Sequence, residues 1–206
     1  MKSNSLRIVV GTFLLLASVS GAHAQDRWPL RFTGLINDYS PSTVKGGPWE
    51  MHGQWTLDLK EERRGEHLTA DFIADMTMSD YGTTNGAADA TKGGQSPHTH
   101  HIKISHATIT WNMDGCPVFS PATKSGFQIN ETVSILTGNG SNALFEPAPP
   151  ETKLQVCISG GDETPGSVPF SNMTMVFVGP ATAHFGTQAI HGVVRKAASE
   201  GVRRSW

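Results

Sequence analysis

The chain has 206 residues, with 16 basic and 18 acidic side chains and a formal charge of −2. A mildly acidic chain lacks the basic surface that phosphate neutralisation requires, so no nucleic-acid partner is expected. The length suits one domain able to bury a sizeable core.

The first 24 residues read as a signal peptide. Lys2 and Arg7 form a short basic region, an apolar run follows from Ile8 to Val19, and Ala22-His23-Ala24 supplies a small-x-small cleavage signal before Gln25. That run is well short of the roughly 20 residues that span a bilayer. No later stretch is long and apolar enough to do so, and no membrane span is expected in the mature chain, 25–206. Losing Lys2 and Arg7 moves the net charge from −2 to −4. Periplasmic or secreted residence follows as an expectation. In that oxidising setting the two cysteines, Cys116 and Cys157, are expected to form a disulfide.

Beyond the leader the apolar residues recur with a period of two, which predicts strands. The clearest pair comes early. Trp49, Met51, Trp55, Leu57 and Leu59 share one face, then a charged tip turns the chain at 61–66. Leu68, Ala70, Phe72, Ala74, Met76 and Met78 share the returning face, which gives an antiparallel hairpin. Further strands are predicted near 29–37, 98–111, 126–136, 152–159, 170–178 and 188–195, making about eight with 48–60 and 66–78. Turn residues separate them, as in Asn112-Met113-Asp114-Gly115 and Gly160-Gly161-Asp162. No helical period stands out, and the tail 195–206 offers at most one helical turn. The fold class is therefore all-β: a single antiparallel β-barrel, with a jelly-roll-like sandwich as the alternative. A long Gly-rich loop at 80–97 interrupts the pattern.

Histidines carry the main chemical signal. His98, His100, His101 and His106 fall close together, and His184 and His191 lie near glycines in a second segment. Residues two apart on a strand point the same way, so His98 and His100 can aim two imidazoles at one ion while His101 faces outward. The parity of Ile102 and Ile104 disagrees with that of Ile109 and Trp111. A bulge within 105–108 is expected, which leaves the direction of His106 open. His184 or His191 would supply a third ligand. The expected cofactor is a divalent transition metal, copper or zinc, since imidazole suits both. His98-Thr99-His100 is similar to the opening of the cupin metal motif, but 102–110 holds no acid and no second motif follows, so the likeness ends there.

Glu131 lies on the apolar stripe of Phe127, Ile129, Val133 and Ile135. It is a candidate ligand or general base, with a rim position open to water as the bland alternative. Trp49 and Trp55 are candidate lining residues for a small apolar ligand, against the alternative of a filled core. Two functions in different classes follow: a metal-binding barrel that is catalytic if a coordination position stays open, and a non-catalytic small-molecule barrel. A metal-free isomerase or cyclase using a histidine–glutamate pair is a third. Nucleophile elbows and phosphate loops are absent.

Overall fold

The computed structural model describes residues 31–44, 48–62, 67–80, 97–117, 126–138, 151–160 and 170–198. The expected signal peptide at 1–24, nearly all of the Gly-rich loop and the tail from 199 lie outside these residues.

Nine strands and one short helix are present among the described residues. They are β1 (Arg31–Tyr39), β2 (Trp49–Glu62), β3 (His67–Asp80), β4 (His98–Thr108), β5 (Gly126–Thr132), β6 (Ile135–Leu136), β7 (Lys153–Ser159), β8 (Asn172–Val178), α1 (Thr182–Phe185) and β9 (Ile190–Ala198). Of the tail 195–206, which offered at most one helical turn, the described part through Ala198 is the end of β9 and the rest lies outside the described residues.

All nine strands form one antiparallel sheet in the order β5-β7-β8-β9-β1-β2-β3-β4-β6. The β2–β3 hairpin pairs without interruption from Trp49↔Asp80 to Glu62↔His67. Its inner faces are the two alternating runs of the sequence. Trp49, Met51, Trp55, Leu57, Phe72, Ala74, Met76 and Met78 are each at most 1 % exposed. Burial of large side chains such as these contributes about 1.5–3 kcal/mol each. The polar residues between them face outward, as an alternating strand requires.

The predicted strand 126–136 is two strands, because the chain changes partner within it. β5 pairs with β7 along its whole length. Val133 N–H donates to the Thr152 carbonyl, and the next residue, Ser134, donates to Lys103 on β4. β6 then pairs Ile135 with Lys103 and Leu136 with Ile102. One further bridge, Thr110↔Gln128, joins the segment after β4 to β5. The sheet is thus curled, with short contacts rather than a full ladder near its edges.

Two local features set the shape. Gly34 on β1 lies over the Trp55 indole, and a Cβ there would come 2.5 Å from Trp55 Nε1. Glycine lets β1 pass close to that ring. The expected bulge in β4 is also present. Ala70 pairs with Ala107 and Phe72 with Ile104, so Ser105 and His106 together face the single residue Asp71. His106 takes a positive φ of 57°, and its backbone N–H donates to Asp71 Oδ1 at 2.8 Å. The extra residue resets the inward parity so that Ala107 and Ile109 are buried, as Ile102 and Ile104 are.

The disulfide joins Cys116 to Cys157, with Cα atoms 6.1 Å apart. It ties the segment after β4 to β7. Gln128 reinforces the same junction: its Nε2 donates to the carbonyls of Asn112 and Asp114 and to Asn112 Oδ1. No helix among the described residues is long and apolar enough to cross a membrane.

Candidate metal centre

β4 starts with His98, and strand alternation turns His98 and His100 to the inner face. His101, between His100 and Ile102, faces outward and pairs with Asp75 at 2.7 Å. The third histidine comes from a segment without strand or helix periodicity. After β8 the chain turns through Gly179-Pro180 into the single helical turn α1, which carries His184. Gly186 ends that turn with φ 85°, and its N–H donates to the Thr182 carbonyl. A Cβ at Gly186 would press on Pro41 at 2.9 Å, so both backbone angle and close packing call for glycine. Phe185, next to His184, stacks on Phe177 of β8 with centroids 4.3 Å apart and meets the His100 ring edge-on at 4.9 Å.

These supports bring three ring nitrogens together. His184 Nε2 lies 3.0 Å from His100 Nε2 and 3.1 Å from His98 Nε2. The three candidate ligand atoms all fall within 4.8 Å of one another. His100 and His184 are buried, at 1 % and 5 % exposure, and His98 is half-buried with Trp49 edge-on to its ring. The group contains no carboxylate.

Hydrogen bonding fixes the protons. His100 Nδ1 is 2.8 Å from the Thr137 carbonyl, which only accepts. The neutral His100 ring therefore carries its proton on Nδ1, and its Nε2 presents a lone pair. Thr137 follows β6 and is held in turn by its own N–H, which donates to the His101 carbonyl at 3.0 Å. A bare Nε2 only 3.0 Å from another ring nitrogen must share either a proton or a cation with it. Burial lowers the His100 pKa to about 4, with His98 adding to the effect and the Thr137 bond opposing it. Burial lowers the His184 pKa to about 3, helped by His100 and then by His98. Both rings are thus neutral at neutral pH and able to offer lone pairs. Metal–nitrogen bonds of about 2.0–2.1 Å place tetrahedral nitrogen pairs about 3.3 Å apart, close to the two short separations here.

The other sequence candidates lie elsewhere. His106 is exposed at the bulge, turned out by its positive φ. His191 lies between the buried Ile190 and Gly192, and both its Nδ1 and its backbone N–H meet Asp38 Oδ2 at 2.7 Å. Glu131 is half-exposed in β5, opposite Leu154, with the buried Ile129 and Val133 two residues to either side. It is not among the clustered ligand atoms. Trp49 and Trp55 are core residues at 0 % and 1 % exposure. Sequence reasoning did not find Thr137, whose contribution is a backbone carbonyl that no side-chain pattern reveals. No family model, curated protein or solved structure matches the chain.

Proposed function

We propose that this protein is an exported β-barrel that binds one transition-metal ion, copper or zinc, through His98, His100 and His184. The observation that carries the reading is the convergence of three Nε2 atoms from two separate segments, at 3.0 and 3.1 Å across the two short pairs. The Thr137 carbonyl plays the outer-shell part usual for a metal-bound histidine, fixing ring orientation and tautomer. The disulfide fits an oxidising compartment. The partner change between β5 and β6 and the Thr110↔Gln128 bridge support barrel closure along residues 126–136, which would touch β7 on one side and β4 on the other. Three histidine ligands leave a fourth coordination position; where no further side chain fills it, water or a small molecule can bind there, the arrangement that allows Lewis-acid chemistry.

Thermal unfolding tests the reading. Adding zinc, or copper under reducing conditions, to the chelator-treated chain should raise the melting temperature, because an ion that binds only the folded state stabilises it by mass action. His100→Ala should abolish that rise while still unfolding cooperatively. Equal melting temperatures with and without metal in the unsubstituted chain would refute the proposal.

A further inference from the structure

The cross-strand neighbours of the histidines are methionines. Met78 on β3 is the register partner of His98, and Met76 is the partner of His100. One strand further, Met51 is the partner of Met78. Met173 on β8 pairs with Gly192, which is also the partner of Ile36 in the inner row that runs through Gly53 and Met76 to His100. Met175 pairs with Ile190 on β9, two residues from Gly192. These five methionines are all at most 1 % exposed. The sequence holds seven methionines, including Met1, so the residue type is concentrated inside the sheet at the level of the histidine cluster. Elsewhere the inner face uses branched aliphatic and aromatic residues, among them Leu57, Ile102, Ile104 and Phe72.

Directly opposed residues on antiparallel strands hold their Cβ atoms about 4.5–5.5 Å apart. A methionine thioether on such a residue is within reach of its partner's ring. Thioether sulfur is a soft donor that favours cuprous copper, whereas the usual protein ligands of zinc are imidazole nitrogen, carboxylate oxygen and thiolate sulfur. Among the described residues, the cluster has no carboxylate of the kind that would favour a harder ion. We infer that the ion held by this site is copper in its cuprous state, with the thioether of Met76 or Met78 completing a nitrogen–sulfur donor set. This rests on the metal-binding reading above and adds the identity of the ion and one sulfur ligand from Met76 or Met78.

The test compares two metals on the untagged chain produced with its own leader. Cuprous affinity is read by competition with bicinchoninate under anaerobic, reducing conditions, and zinc affinity by a chromophoric zinc chelator. Met76→Leu and Met78→Leu, singly and together, keep core volume nearly constant. The double variant should lose roughly tenfold or more in cuprous affinity and leave zinc affinity unchanged. Copper-edge X-ray absorption should find sulfur beside nitrogen in the unsubstituted chain and nitrogen alone in the double variant. Unchanged cuprous affinity, an equal loss for both metals, or a copper shell without sulfur would overturn the inference while leaving the metal site standing. Binding of neither metal would overturn both.

Discussion

His100 and His184 are polar rings enclosed by apolar neighbours, and their cost to the fold depends on their protonation. In the unfolded chain both take up protons near the ordinary histidine value of about 6.5. In the fold they do so only at about 4 for His100 and about 3 for His184. Between those limits the unfolded state binds more protons, so stability falls as pH falls. Each group contributes roughly 1.4 kcal/mol per pH unit over its interval, and the loss levels off below its folded value. Denaturant midpoints of the metal-free chain should therefore drop between about pH 6.5 and about pH 4, and less steeply in His184→Gln. A flat profile would contradict the buried, neutral state of these rings. For metal binding, His184→Ala should remove uptake, measured by competition with a chromophoric chelator, while His106→Ala and His191→Ala should leave it within about twofold of the parent chain. The pairing of His98 with His100 was legible from sequence, because strand parity alone aims both inward. The choice of His184 over His191 was not. It depends on α1, a single turn too short to show a helical period, and on the Asp38 carboxylate that holds His191.

At the scale of elements, the site depends on how two segments are pinned. The turn carrying His184 is set by Gly186 against Pro41 and by the Phe185–Phe177 stack. Gly186→Ala requires an L-residue at φ 85° and a displaced Pro41 ring. It should destabilise the chain by about 1–3 kcal/mol and weaken metal binding together, which denaturant titration and chelator competition would measure. The disulfide lies at a different junction, with a sequence separation of 41 between its cysteines. Replacing both cysteines by serine should cost roughly 4 kcal/mol in denaturant unfolding. Metal affinity should stay within about twofold under conditions where the chain remains folded. The β2–β3 hairpin was readable in the sequence to within two residues, since fourteen-residue strands repeat their period many times. The division of 126–136 was not, because it moves the inward position from Val133 to Leu136, leaves Ile135 exposed, and is decided by Thr152 and Lys103, far away in sequence.

For the whole molecule, the all-β class followed from a period of two in nearly every segment, and the structure is one curled antiparallel sheet. Its interior at the level of the histidines is filled by Trp49, Met51, Met76 and Met78, which favours an ion held between side chains over a large apolar ligand. Export and barrel closure are proposals joined to that core. The most direct test of metal binding is the metal content of the untagged chain, expressed from the full 206-residue sequence and purified without chelator. Close to one equivalent of a transition metal per chain, lost in His98→Ala/His100→Ala, is the expected result. A metal-free chain that takes up neither copper nor zinc when either is added would contradict it.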